Sequence, residues 1–225
     1  MTAPSTPEPF RFVTHITLTE LTGRKARDLP ELLEHLRTVP PSVIYYHTHH
    51  FLEQHHFLSP EPPNDFAYWV TNALKESELG ERLAAIDTIQ FHTISSLREA
   101  LISTVDKHLR ATARRRSTSE GEALHFMSSR SIVIPTAYEA RSLDAFAEAL
   151  RKISIQTIYY HVFEARLRLQ RGNDFAIWLE SALGEKELAH QIMQLDPYTQ
   201  TLDGLRKRIV QLVDRRLREK SHVTA

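Results

Sequence analysis

Apolar residues recur along the first half of the chain at helical spacing, and the same stripes recur along the second half. Leu29, Leu32, Leu33 and Leu36 follow Asp28 and Glu31, which read as an N-cap and its capping partner. Leu143, Phe146 and Leu150 follow Ser142 in the same way. A second helix begins near Ser42 and again near Ile155. In the third, Phe66, Trp69, Val70, Ala73 and Leu74 fall at i, i+3, i+4, i+7 and i+8, the spacing of one buried helix face. Phe175, Trp178, Leu179, Ala182 and Leu183 repeat that spacing. A fourth stripe has Leu79, Leu83 and Ile86 against Leu188, Ile192 and Leu195. A fifth helix runs from Ser95, and again from Leu202, to the basic end of its half. Ahead of the first helix, Phe10, Phe12, Thr14, Ile16 and Leu18 alternate with mostly polar residues, as in a strand. The stretch after Leu124 alternates poorly. The prediction is a mainly α fold of two homologous five-helix repeats packed with pseudo-twofold symmetry, each with a short extended N-terminal arm, the two arms being candidates to pair.

The repeat itself is direct. Phe12, Ala26, Arg27, Leu29, Leu36 and Ile44-Tyr45-Tyr46-His47 return 114 positions later as Phe126, Ala140, Arg141, Leu143, Leu150 and Ile158-Tyr159-Tyr160-His161. After an insertion around "SPEPPN", Asn64-Asp65-Phe66-Ala67 and Trp69 return as Asn173-Asp174-Phe175-Ala176 and Trp178, now 109 positions apart. One further deletion aligns Leu97, Leu101, Val105, Asp106 and Leu109 with Leu205, Ile209, Val213, Asp214 and Leu217. A period near one hundred residues indicates a duplicated domain and not a solenoid of short repeats. The expected organisation is a first repeat over residues 1–113, a linker over 114–123, where "RRRSTSEGEA" is polar with serines and a glycine, and a second repeat over 124–225.

Composition narrows the function classes. The chain has 225 residues and is 41% apolar, enough for a sizeable core. Its 28 basic and 28 acidic side chains cancel, so no overall field draws it to nucleic acid or a membrane, and any electrostatic partner must read a local patch. The absence of cysteine excludes thiol nucleophiles, disulfides and thiolate metal sites and fits a reducing cytoplasm. "MTAPSTPEPFRF" has no signal-peptide apolar core, and no stretch approaches the ~20 apolar residues of a membrane span. A soluble cytoplasmic protein is expected. Only six glycines are present and no phosphate-cradling loop pattern occurs, which disfavours nucleotide enzymes of that type.

The conspicuous chemistry is "SVIYYHTHHFLEQHHFL", residues 42–58, with five histidines. At about 100° per residue, Ile44, His47, Phe51 and Leu58 share the inner face, as do Ile158, His161 and Ala165 in the second copy. His49 and His56 fall opposite, and their counterparts are not histidines, so they are expected in solvent. One reading makes His47 and His161 core histidines, hydrogen-bonded to a buried partner drawn from Arg27 and Arg141 or from Asp65 and Asp174. The alternative pairs His47 with His50 and His161 with Glu164 at i+3, the spacing with which helices build carboxylate-bridged metal centres. The matched helices offer few further carboxylates, and no repeated set of three zinc ligands is found.

Asn64-Asp65 and Asn173-Asp174 suit an N-cap and a first-turn carboxylate that complements the helix dipole. Capping is the first reading; a single polar residue would suffice for it, so the second leaves room for an additional partner. The tyrosine pairs Tyr45-Tyr46 and Tyr159-Tyr160 flank the inner face as core-edge aromatics with wet hydroxyls. Basic residues close each half in "DKHLRATARRR" and "DRRLREK". A last helical turn accounts for much of this, but Arg114, Arg115 and Arg116 exceed that need and form a candidate anion patch. No nucleic-acid module or interleaved aromatics accompany them.

The combination Phe12, Thr22-Gly23, Ala26, Leu29, Ile44-Tyr45-Tyr46-His47 and Asn64-Asp65-Phe66-Ala67-Tyr68-Trp69 resembles a bacterial and archaeal family catalogued as a domain of unknown function. The likeness covers both halves, although the second has Thr136-Ala137 in place of Thr22-Gly23. The resemblance implies an association with genes of glycogen and trehalose metabolism and supplies no catalytic residues. The expected role is a non-catalytic protein- or ligand-binding regulatory module, with protein partners and no cofactor. Its rivals are a metal-dependent enzyme using His47, His50, His161 and Glu164, and a nucleic-acid binder using Arg114 to Arg116.

Overall fold

A computed structural model describes residues 8–53, 64–91, 93–112, 116–165, 172–195 and 200–223 of the chain. Strand β1 (Phe10–Ala26) pairs with β2 (Leu124–Ala140) in a two-stranded antiparallel sheet, each strand being 17 residues long. The mainly α expectation is therefore corrected. The architecture is mixed α/β, with ten helices and one sheet among the described residues.

The strand chemistry explains the error. Val13, Thr14, Ile16, Thr17, Thr19 and Thr22 in β1, and Ile132, Val133, Ile134 and Thr136 in β2, are β-branched and favour extended backbone. Burial alternates with period 2 only over the first three residues of each strand, and the next buried residue falls three further on. Phe10, Phe12 and His15 are buried at the start of β1, and Leu124, Phe126 and Ser129 at the start of β2. Beyond them the strands are mostly exposed on both faces, so the alternation that continues through Ile16 and Leu18 in β1 does not mark a buried face.

By its internal contacts the chain forms two units, and the boundary falls in the middle of both strands. Unit 1 comprises described residues of Met1–Ile16 and Ile132–Ala225; unit 2 comprises described residues of Thr17–Gln54 and Ser59–Ser131.

Unit 2 contains α1 (Leu29–Thr38), α2 (Pro41–Glu53), α3 (Asp65–Asn72), α4 (Ser77–Ala84) and α5 (Ile94–Ala111). Their apolar stripes, from Leu29, Leu32 and Leu36 through Phe66, Val70, Leu79 and Leu83 to Leu97, Leu101 and Val105, close into one core that also includes Leu124 and Phe126. The start of β2 thus completes a core built by helices that precede it in the chain. Phe126 is fully buried, worth about 2–3 kcal/mol of apolar transfer. Part of the segment expected to act as a linker is docked here as well. Ser117 bridges to Asp28, and Thr118 N–H donates to the Arg27 carbonyl at 2.8 Å.

Unit 1 contains α6 (Leu143–Lys152), α7 (Ile155–Tyr159), a π-helical turn over Tyr160–Glu164, α8 (Asp174–Leu183), α9 (Lys186–Met193) and α10 (Leu202–Val223). Its core holds Phe146, Leu150, Phe175, Leu179, Leu188, Ile192, Leu205, Ile209 and Val213, and the start of β1 enters it through Phe10 and Phe12. Each unit's core is therefore completed by the start of one strand.

The helix starts follow simple capping chemistry. The Asp28 carboxylate accepts from Glu31 N–H, and the Ser142 hydroxyl from Ala145 N–H. The Asn64 carbonyl oxygen accepts from Ala67 N–H at 2.8 Å, and that of Asn173 from Ala176 N–H at 2.9 Å. Threonine hydroxyls stitch the strand ends: Thr22 donates to the Phe126 carbonyl at 2.7 Å, and Thr136 to the Phe12 carbonyl at 2.6 Å.

Candidate functional site

With asparagine occupied as the cap, the following aspartate is left for other work. Asp65 Oδ2 lies 2.8 Å from His47 Nδ1 in unit 2, and Asp174 Oδ2 lies 2.8 Å from His161 Nδ1 in unit 1. On the far side of each ring a strand amide closes the arrangement. Met127 N–H donates to His47 Nε2 at 3.0 Å, and Val13 N–H donates to His161 Nε2 at 3.0 Å. An Nε2 that accepts from an amide carries no proton, so the proton of the neutral ring sits on Nδ1 and is donated to the aspartate. Both rings are 3% exposed and packed by aromatics: Phe66 and Phe126 around His47, and Phe10, Phe12 and Phe175 around His161.

This clamp has the Asp–His half of a catalytic relay but none of its reach. In a hydrolytic triad Nε2 faces the nucleophile whose proton it takes; here it faces a backbone amide that cannot release one. Neither ring offers an open lone pair to a metal, and no group of three or more His, Cys, Asp or Glu side chains among the described residues could hold a metal ion. His47 and His50 lie in unit 2, and His161 and Glu164 in unit 1. His50 stacks on Tyr46 with ring centroids 4.6 Å apart, and Glu164 Oε1 is 4.0 Å from His15 Nε2. Burial, and then the charge of Asp65, push the Tyr46 phenol up from its usual range.

Arg27 does not reach His47; its backbone N–H and guanidinium bind the Glu31 carboxylate. Arg141 is exposed. His49, expected in solvent, is buried at 4% exposure, stacked parallel to Tyr45 and 2.7 Å from the Thr48 hydroxyl, which donates to the Ile44 carbonyl. Helix α2 buries Val43, Ile44, His47, Thr48 and His49, more than a single apolar face. His56 lies outside the described residues. His15 is also buried, against Tyr159 and Tyr160, and the sequence offers only its place in the strand to signal it.

Of the candidate anion patch, Arg114 and Arg115 lie outside the described residues. Arg116 is engaged within unit 2. Its Nε sits 3.3 Å from Glu76, and its guanidinium donates to the Leu74 and Lys75 carbonyls. The basic end of unit 1 serves a matching acid: Arg216 Nε lies 2.7 Å from Glu185, which Lys220 also binds. Burial would raise the Glu185 pKa, but these two cations outweigh it and hold the carboxylate below its usual range.

The described helices include none long and apolar enough to cross a membrane. No curated protein shows significant similarity to the chain. Its fold is similar to that in "The structure of OrfY from Thermoproteus tenax", with a TM-score of 0.78 and 28% identity, over 94% of this chain and 97% of the other. Residues 7–214 match the sequence profile of a family of unknown function, DUF5752.

Proposed function

The chain belongs to that family, and on this premise we propose that it is a non-catalytic protein-binding or regulatory module. The observation that carries the reading is the closure of both imidazoles, each fixed by a carboxylate on one nitrogen and a strand amide on the other. Groups arranged in this way hold strands in place; they do not transfer protons. A protein partner is supported by the exposed large apolar residues, most of which sit on the strands: Ile16, Ile132, Val133 and Tyr138 in unit 1, Leu18 and Leu21 in unit 2. The cysteine-free composition fits the cytoplasm, and the family resemblance favours a role beside carbohydrate metabolism.

We also read the chain as a duplicated ancestral unit, with repeats over 1–113 and 124–225 joined by 114–123. Supporting this are the equal strand lengths, the matched asparagine caps and the two clamps of equal geometry.

The test combines two measurements on tag-free protein. Metal analysis should find no stoichiometric ion; iron, manganese or zinc that disappears in His47→Ala/His161→Ala while the fold persists would overturn the module in favour of a metalloenzyme. A protein captured from extracts of the source organism should be lost with Leu18→Ser/Leu21→Ser and Ile132→Ser/Val133→Ser variants of unchanged thermal stability.

A further inference from the structure

The two strand ends are held by the same grammar. In unit 1, Trp178 Nε1–H donates to the Glu8 carbonyl at 2.8 Å, Phe10 and Phe12 fill the core, and Val13 N–H donates to His161. In unit 2, Trp69 Nε1–H donates to the Glu122 carbonyl at 2.8 Å, Leu124 and Phe126 fill the core, and Met127 N–H donates to His47. Two main-chain contacts five residues apart thus bracket two side-chain pockets. Main-chain bonds supply affinity without regard to sequence, and pockets for alternate side chains supply selectivity, the logic by which proteins bind extended peptides. The occupants differ, "EPFRFV" against "EALHFM", so equivalent pockets accept phenylalanine in one unit and leucine in the other. What recurs is a large apolar residue, an exposed residue (Arg11 or His125), phenylalanine, then a third apolar residue whose N–H meets the imidazole. The aspartate behind each ring fixes the tautomer that accepts this amide, so the receptor side is set before the strand arrives.

Resting on the binding-module reading, we propose that the helical groove of unit 1 is a receptor for extended peptide segments of the pattern apolar-x-Phe-apolar, filled in the resting chain by its own residues 8–13. A partner presenting such a segment binds by displacing the arm, taking over the Trp178 and His161 contacts and the Phe12 pocket between Phe146 and Phe175. The tethered arm competes at an effective concentration on the order of millimolar, so the intact chain binds a free peptide weakly, and a weakened arm opens the site.

The probe is a fluorescein-labelled synthetic peptide of residues 8–17, EPFRFVTHIT, added to the full-length protein. With Phe12→Ala protein, whose arm keeps its backbone and loses its anchor, the peptide should bind at least tenfold more tightly than to the natural sequence. It should also restore much of the lost melting temperature. A peptide with alanine in place of phenylalanine at the Phe12 position should do neither, and His161→Ala added to the Phe12→Ala protein should weaken binding about tenfold at a temperature where the double variant keeps native circular dichroism. Absence of saturable binding to a Phe12→Ala protein with native circular dichroism overturns the proposal. If that variant does not fold, Phe12→Leu carries the same comparison. In the natural sequence, excess peptide should also speed hydrogen exchange at the Val13 amide; unchanged exchange at saturating peptide counts against the site. Dimerisation of Phe12→Ala through exchanged arms, detected by light scattering and reversed by the peptide, supports the groove with a second copy as occupant. The groove is distinct from the exposed strand residues, so a negative result here leaves the captured-partner test of the module standing.

Discussion

The Ile-Tyr-Tyr-His segment appears once in each unit, and the two occurrences take different routes to the same end. In unit 2 the histidine sits within α2, followed by Thr48 and His49, a buried polar pair bonded to each other. In unit 1 the helix gives way at Tyr160–Glu164 to a π-helical turn, within which Val162 and Phe163 follow His161. Tyr159 stacks on Phe163 at 5.2 Å, as Tyr45 stacks on His49 at 5.2 Å. Helix type and neighbouring polarity differ, yet carboxylate and amide meet each ring at matching distances. The strand clamp is thus the constraint around which the backbone has adjusted.

The clamps differ in exposure, and that difference predicts the largest effect. The Asp174 side chain is 16% exposed, whereas Asp65 is 49% exposed. Removing a ring strands a buried amide, takes one hydrogen bond from an aspartate and leaves a cavity, and the loss weighs more on the more buried aspartate. His161→Ala should destabilise unit 1 by about 4 kcal/mol, and His47→Ala should destabilise unit 2 by roughly 1 kcal/mol less. The two tryptophans fall in different units, Trp69 in unit 2 and Trp178 in unit 1, so urea unfolding of single-tryptophan variants reads each separately. Equal losses in both units would break the link between aspartate exposure and clamp strength.

A second contrast is electrostatic. Burial lowers the pKa of His49 from its ordinary 6.5 to about 4. The unfolded chain therefore takes up a proton below pH 6.5 that the folded chain refuses until about pH 4. Stability contributed at this site is intact above 6.5, falls as pH drops through that window and levels off below it, a loss of up to about 3 kcal/mol. Unit 1 has Phe163 at the equivalent place and lacks this contribution. Thr48→Val/His49→Phe, which installs the residues of unit 1 and removes both members of the buried polar pair, should flatten the pH dependence of unit 2 between 6.5 and 4. At pH 7.5 it should cost less than Thr48→Val or His49→Phe alone, because deleting the bonded pair together leaves neither member facing a missing partner. Unfolding midpoints across pH, followed at Trp69, check both points.

These contrasts mark what the residue pattern can convey. The helical stripes and their caps are local: Asp28 before Leu29 or Asn64 before Phe66 carry their meaning within one turn. The strands are not local in this sense, since Phe12 finds its pocket on α6 and α8 and Phe126 finds its own on α1 to α3, and spacing along the chain does not state which groove an arm enters. His49 is misplaced by a helical wheel because the wheel assumes a single buried face, and α2 buries more than that. Asn64 and Asp65 look alike as capping residues, and only the folded chain separates them into a cap and a partner for His47.

The smallest contrast lies at the end of the tryptophan helices. Unit 1 closes α8 with Gly184 at φ 68°, and the equivalent turn of unit 2 places Lys75 at φ 56°. The hydrogen bonds agree: Glu185 N–H donates to the Leu179 carbonyl at 2.9 Å, and Glu76 N–H to the Val70 carbonyl at 3.0 Å. Left-handed backbone suits glycine and strains a residue with a Cβ by about 1 kcal/mol. Lys75→Gly should therefore stabilise unit 2 by somewhat less than about 1 kcal/mol, since glycine also gives the unfolded chain more freedom to lose. A Cβ at Gly184 would meet nothing within 4 Å, so Gly184→Ala isolates the backbone strain and should destabilise unit 1 by about 1 kcal/mol. The Arg116 bond to the Lys75 carbonyl involves only backbone at that position and survives the change. Opposite signs for the two substitutions in matched unfolding experiments are the expected outcome. A loss on Lys75→Gly would show that the lysine side chain stabilises its turn by more than the strain costs.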